Sequence, residues 1–77
     1  MKTERLKEIL VKACDGKYTA DDIHDDTDII EDLNFDSLIY LKAIIAIEDE
    51  TGIELDDMDI DNISVFSDLL AAINKAI

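Results

Sequence analysis

Ser37 is the residue of this sequence whose type and position best suit covalent chemistry. It lies between Asp36 and Leu38, where a long acidic stretch ends and an amphipathic helix is predicted to begin. A helix N-terminus has free backbone N–H groups and the positive end of the helix dipole, so it favours a phosphate ester on Ser37. A serine there is also a common helix start, which is the more frequent interpretation of such a residue alone. Ser37 is therefore a candidate acceptor for a negatively charged covalent group.

Catalysis by Ser37 would need a base, and His24 is the only histidine of the sequence. A Ser-His-Asp arrangement also needs an oxyanion hole and a pocket, and the chain has few residues left to build them. The acidic neighbours of His24 favour its protonated form, which cannot act as a base. We therefore expect no catalytic residues and interpret His24 as a solvated side chain. Cys14, the only cysteine, is interpreted as a small buried hydrophobic residue.

A calcium loop is the other chemistry that the spacing suggests. Asp57, Asp59 and Asp61 occupy positions 1, 3 and 5 of such a loop, and Asp68 occupies position 12. The fit then degrades, because position 6 is Asn62 in place of glycine and position 12 is not the longer glutamate. Asp-x-Asp-x-Asp also arises by chance in so acidic a chain. We predict no metal site, and a single calcium-binding loop is the weaker alternative.

Two helices of ordinary amphipathic pattern are predicted at the two ends of the chain. The first covers residues 4–14, after a Thr3 N-cap and before Gly16 as its stop. The last covers residues 65–76, with Ser64 as its cap, and a short helix over residues 57–61 precedes it. Their inward faces contain Leu6, Ile9, Leu10, Ala13 and Cys14 in the first helix and Phe66, Leu69, Leu70, Ile73 and Ile77 in the last.

The middle helix, predicted over residues 37–50, has Asp36 as its N-cap and Gly52 beyond its end. A surface helix needs one apolar stripe, but this helix has two. One contains Tyr40, Ala43, Ile44 and Ile47, and the other contains Leu38, Leu41 and Ile45, flanked by Lys42, Glu48 and Asp49. We expect the second stripe to be exposed for partner docking, the alternative being a central helix with both stripes buried.

A long first loop, residues 17–35, joins the first two major helices. It is rich in aspartate and has apolar residues that we expect to pin it to the core: Ile23, Ile29, Ile30, Leu33 and Phe35. A single helical turn is predicted around residues 27–31. A loop of this length in a small domain normally has a purpose. The predicted fold is therefore all-α, a small four-helix bundle of three major helices and one short helix.

The formal net charge of −13 over 77 residues limits the partners. It argues against nucleic acid and anionic membranes, and it favours proteins with basic patches. The composition indicates one domain spanning residues 1–77, and no segment predicts a signal peptide or a membrane span. We expect a cytoplasmic monomer whose stability depends on salt and divalent cations.

The chain also resembles a known family over essentially its whole length. The resemblance rests on three stretches: Glu31-Asp32-Leu33-Asn34-Phe35-Asp36-Ser37-Leu38, Ile47-Glu48-Asp49-Glu50 and Ile53-Glu54-Leu55-Asp56. They are similar to the acyl carrier proteins, and more broadly to carrier domains that bear phosphopantetheine. The family's Asp-Ser-Leu motif falls on Asp36, Ser37 and Leu38.

The resemblance implies that Ser37 receives 4′-phosphopantetheine from coenzyme A through a separate phosphopantetheinyl transferase. The thiol of that arm would carry acyl groups as thioesters between the enzymes of fatty-acid, polyketide or related biosynthesis. Asp36 would present the serine, and the second helix would be the main recognition element for partner enzymes. The implied partner face comprises Leu38, Leu41, Lys42, Ile45, Glu48 and Asp49. Residues that shelter an acyl chain would come from Ile44, Ile47, Leu55, Ile60 and Ile63.

Three departures from the family pattern narrow the expected role. Asn34 stands where fatty-acid carriers usually have glycine, and asparagine is the next best residue for a left-handed turn. Ile39 and Lys42 stand where those carriers usually have acids. A lysine there repels basic partner surfaces, so we hypothesise a specialised carrier of secondary pathways. The competing interpretation is an acidic protein-interaction module that is never modified.

Overall fold

Three α-helices make up most of the computed structural model, which describes residues 1–54 and 63–76 of the chain. They are α1 (Thr3–Ala13), α2 (Ser37–Thr51) and α3 (Phe66–Ala76), and a 3-10 turn, η1 (Ala20–Asp22), lies in the first loop. The described residues contain no strand beyond one isolated antiparallel bridge. The all-α class is therefore confirmed. The short helix predicted over residues 57–61 lies outside the described residues.

Helix α1 begins and ends within one residue of the prediction. Thr3 is its first residue and not its N-cap, which is Lys2. At the other end, the Gly16 N–H donates to Val11 O and the Asp15 N–H donates to Lys12 O, both at 3.1 Å. This pair of bonds is a Schellman motif, and its left-handed residue is Asp15, with φ 57°, followed by Gly16 at φ 76°. The predicted stop is thus confirmed.

The core lies between the inward faces of the three helices and the first loop. The buried faces of α1 and α2 are the predicted ones, and α3 buries Phe66, Leu69 and Ile73. Cys14 and Leu70 are partly buried against this core, so Cys14 is less enclosed than predicted. Ile77 lies outside the described residues. The helices therefore pack as the sequence periodicity indicates, and the shared core fixes α2 on one side only.

Helix α3 is anchored by the first loop. Asp28 forms the antiparallel bridge with Val65, the residue directly before α3. The Phe66 N–H donates to Thr27 O at 2.9 Å, and the Ser67 N–H donates to Asp25 O at 3.0 Å. Loop carbonyls thus satisfy the first free N–H groups of the helix. The prediction of Ser64 as the cap was wrong: the helix begins one residue later than expected.

The first loop is pinned to the core by four of its five predicted apolar residues. Ile23, Ile29, Leu33 and Phe35 are buried, whereas Ile30 is 50% exposed. Ile30 lies inside a turn that Asp28 closes: Asp28 O accepts from the Asp32 N–H, and the Asp28 carboxylate accepts from the Ile30 N–H. The predicted helical turn at residues 27–31 is therefore a hydrogen-bonded turn shifted by one residue, and it points Ile30 to solvent.

Candidate functional site

Asp36 caps helix α2 and places Ser37 as its first residue. The backbone of Asp36 is extended, and its carboxylate accepts the Ile39 N–H at 2.8 Å. Its carbonyl accepts the Tyr40 N–H at 2.9 Å. Both bonds fix the first turn of the helix, as the sequence predicted. Ser37 itself is exposed, so the residue is accessible from solvent.

The backbone before Ser37 makes a left-handed turn at Asn34, with φ 53°. The Asn34 side chain donates to the Tyr18 hydroxyl at 3.2 Å. Next to it, the buried Phe35 ring meets the ring of Tyr40 edge-on, with centroids 6.3 Å apart. Asparagine thus preserves the turn expected of glycine at this position. The loop enters α2 from a fixed point in the core, which holds Ser37 in place.

The start of α2 suits a phosphodiester on Ser37. The Ser37 and Leu38 N–H groups belong to the first turn, where a helix supplies no intrahelical acceptor. The helix dipole adds positive potential at the same end. Asp36 opposes it with one negative charge, but its carboxylate is already engaged by the Ile39 N–H. An exposed hydroxyl beside free amides is therefore compatible with an attached phosphate and an arm that extends into solvent.

The second apolar stripe of α2 is exposed beside Ser37. Leu38, Leu41 and Ile45 are 63%, 54% and 55% exposed, respectively. The opposite stripe is buried in the core: Tyr40, Ala43, Ile44 and Ile47. The alternative of a central helix with both stripes buried was therefore wrong. Lys42 and Asp49 are also exposed at the edge of the stripe, and Glu48 is partly buried.

A family model described as "Phosphopantetheine attachment site" matches residues 4–73 of the chain. The chain is 33% identical over 72 residues to an acyl carrier protein of Solidesulfovibrio magneticus, covering 94% of this chain and 90% of that protein. It is 38% identical over 57 residues to an acyl carrier protein of Nitratidesulfovibrio vulgaris, covering 74% and 75%, respectively. The chain belongs to the acyl carrier protein family. The cofactor expected from the sequence, phosphopantetheine, is thereby confirmed for this carrier.

Tyr40 is a feature of this carrier that the sequence did not indicate. Its hydroxyl is buried and has no hydrogen-bond partner in the structure. Burial raises the pKa of Tyr40 to about 12, because the phenolate would lose its hydration. Tyr40 was predicted as a core residue, and its ring is buried accordingly. Periodicity alone does not reveal whether a core hydroxyl finds a partner.

The other candidate residues do not converge on a catalytic or metal site in the described part of the carrier. His24 is exposed, and its backbone N–H donates to Thr27 Oγ1 at 2.7 Å. Asp57, Asp59 and Asp61 lie outside the described residues, and Asp68 is exposed in the first turn of α3. Within residues 1–54 and 63–76, no three acidic, histidine or cysteine side chains are grouped to hold an ion. None of the helices described is both long and apolar enough to cross a membrane.

Proposed function

We propose that Ser37 carries the 4′-phosphopantetheine arm and that the chain shuttles acyl thioesters between enzymes. The observation that carries this proposal is the exposed Ser37 at the capped start of α2, directly beside an exposed apolar stripe. An attachment point and a docking surface are then adjacent. A partner that binds the stripe has the loaded arm within reach of its active site.

The attachment chemistry needs little from the carrier itself. Ser37 Oγ attacks the phosphorus that joins the pantetheine to the rest of coenzyme A, and the adenosine bisphosphate part leaves with the bond electrons. The serine proton is taken up by the transferase that performs the step. The carrier contributes an accessible hydroxyl, a capped helix that orients it and N-terminal amides that stabilise the ester. The carrier then performs no catalysis of its own.

Sheltering of an acyl chain is proposed for the core beside α2. Of the five residues suggested by the sequence, Ile44, Ile47 and Ile63 are buried. Leu55 and Ile60 lie outside the described residues. The buried three belong to the same core cluster, so they supply an apolar lining next to the helix that carries Ser37.

The carrier is proposed to act as a cytoplasmic monomer. Its net charge disfavours self-association.

Intact-mass measurement tests the attachment. The apo-protein is incubated with coenzyme A, Mg²⁺ and a broad-specificity phosphopantetheinyl transferase, and we expect a gain of one phosphopantetheinyl arm. Ser37→Ala should show no gain. Ser64→Ala and Ser67→Ala are matched controls, because these exposed residues are the only other serines of the chain, and both should load normally. An unmodified wild-type chain would instead support the interaction-module alternative, and calcium-dependent folding lost in Asp57→Ala would support the calcium loop.

We further propose a specialised pathway over the housekeeping fatty-acid role. Lys42 is exposed at the edge of the stripe, where it repels the basic surfaces of fatty-acid enzymes. Ile39 is apolar and packs against the core, so it supplies none of the negative charge that an acid would offer there. Lys42→Glu should therefore lower the KM of a fatty-acid malonyl transferase for the carrier that bears the phosphopantetheine arm with a free thiol. An unchanged KM would remove the main support for this assignment.

A further inference from the structure

A groove between α1 and α2 gathers positive charge on this acidic chain. One part of it, about 500 Å³ in volume, is lined by Arg5, Lys12 and Lys42. An adjoining part is lined by Lys2 and again by Arg5. The groove thus contains four of the seven basic residues of the sequence. The acidic residues that line it, among those the structure describes, are Asp49 and Glu50.

Two of the lysines in the groove are available to a partner. Arg5 is already engaged, because its guanidinium binds Glu50 and also Glu8, the latter at 2.9 Å. Lys12 and Lys42 are exposed and form no ion pair with any residue in the described ranges. Glu50 is held by Arg5 and also interacts electrostatically with Lys12, and Asp49 is the other carboxylate that lines this part of the groove. The groove therefore offers a local positive site on a molecule that is negative elsewhere.

The groove and the exposed stripe of α2 form one continuous surface. On an α-helix, Lys42 lies about 40° from Leu38 and about 60° from Ile45 around the axis. The stripe is exposed at Leu38, Leu41 and Ile45. Lys42, at the edge of the stripe, also lines the groove. A protein that covers the stripe therefore also reaches the lysines.

We propose that this surface binds a partner protein whose contact patch carries aspartate or glutamate beside apolar side chains. Its apolar side chains cover Leu38, Leu41 and Ile45, and its carboxylates enter the groove next to Lys12 and Lys42. The proposal deepens the carrier function and rests on it for the partner's role as an enzyme that acts on the loaded arm. Complementary charge at one edge of an apolar patch fixes the orientation of a partner more than it adds affinity.

Two synthetic helical peptides test the proposal. Both have the same length and leucine stripe, which is flanked by glutamate in one peptide and by lysine in the other. Each is titrated into the ¹⁵N-labelled chain at about 0.15 M salt, where screening suppresses the effect of distant charges. We expect the glutamate peptide to bind, with its largest amide shifts at Lys12, Lys42 and the stripe. The lysine peptide should shift the acidic first loop instead.

Charge reversals provide the controls. Lys12→Glu and Lys42→Glu should each lower the affinity of the chain for the glutamate peptide by about two- to tenfold, as expected for exposed charge pairs. Lys75→Glu makes the same change in net charge in the last turn of α3, outside the groove, and should change the affinity less than twofold. Circular dichroism confirms that each variant is folded.

Several results would overturn the inference. The first is no binding of the glutamate peptide, and the second is equal binding of both peptides at the stripe. The third is a loss of affinity in Lys75→Glu equal to that in Lys12→Glu and Lys42→Glu. Amide shifts at the stripe that depend on the concentration of the chain alone would show that a second copy occupies it. The titration does not involve Ser37, so its failure would leave the loading result intact, and a failure of loading would leave the titration intact.

Discussion

At the residue scale, Tyr40 is the least satisfied polar group of the described core. Its hydroxyl is buried without a partner, near the start of the helix that carries Ser37. A buried polar group that lacks a hydrogen bond costs about 1–3 kcal/mol in desolvation. Its ring nevertheless contributes to the core through the edge-on contact with Phe35. The ring and the hydroxyl of Tyr40 therefore have opposite effects on stability.

Tyr40→Phe should keep the ring and remove the cost. We expect the free energy of unfolding at pH 7 to rise by up to about 1 kcal/mol, measured by urea denaturation. Tyr18→Phe is the comparison, because the Tyr18 hydroxyl accepts from Asn34 and its loss should lower stability. A lower stability of Tyr40→Phe would show that the hydroxyl has a partner in solution.

The raised pKa of Tyr40 also predicts how the stabilities of the wild type and of Tyr40→Phe depend on pH. Tyr40 has a pKa of about 12 in the folded chain, against about 10 when unfolded. Between these values the folded state binds more protons, so this contribution to stability is complete below about pH 10 and is lost as the pH rises to about 12. Tyr40→Phe should therefore lose less stability than the wild type in this range. Equal slopes would contradict the raised pKa.

The type of residue at position 34 predicts the backbone conformation of Asn34 but not the hydrogen bond of its side chain. Its left-handed backbone was expected, because asparagine tolerates φ near +53° better than most residues. Its hydrogen bond to Tyr18, 16 residues earlier, was not expected. The first depends on local sterics, which residue type determines. The second depends on how the loop folds back, which no local pattern contains.

At the element scale, α2 has two apolar faces that differ in exposure. One face is buried in the core, and the other presents an apolar stripe beside Ser37. The 100° periodicity predicted both faces correctly, because a helix this regular leaves no freedom in the direction of its side chains. The start of α3 was predicted less well, because carbonyls of Thr27 and Asp25 bind its first N–H groups. Such contacts join residues about 40 positions apart, and the sequence pattern does not contain them.

Two isoleucines of α2 allow this difference in exposure to be measured. Ile47 is fully buried and Ile45 is 55% exposed, yet they lie in the same helix. Ile47→Val should lower the free energy of unfolding by about 0.5–1.5 kcal/mol, because it removes a buried methylene group. Ile45→Val changes the same atoms in solvent and should cost less than about 0.5 kcal/mol. Equal losses in chemical denaturation would mean that the stripe is covered in solution.

At the scale of the whole molecule, charge repulsion opposes the fold. The formal net charge of −13 is confined to a body of 27 × 22 × 22 Å. Small domains are marginally stable, so a long-range repulsion of this size affects the balance between folded and unfolded chain. Among the described residues, the ion pair of Arg5 with Glu50 joins α1 to α2, and that of Arg5 with Glu8 lies within α1; both pairs offset part of the repulsion. They are exposed and therefore also sensitive to salt.

Added salt should therefore stabilise this carrier. At about 0.01 M salt the Debye length is about 30 Å, so all charges of the molecule interact, whereas at about 1 M it is about 3 Å and only close pairs do. We expect the melting temperature to rise across this range of NaCl, because repulsion among many carboxylates outweighs the pairs of Arg5. The double variant Asp21→Asn and Asp26→Asn removes two exposed charges of the first loop, so it should melt higher at low salt and respond less to NaCl. A melting temperature that falls with salt, or an equal response of the double variant, would show that net repulsion is not what limits the stability of the fold.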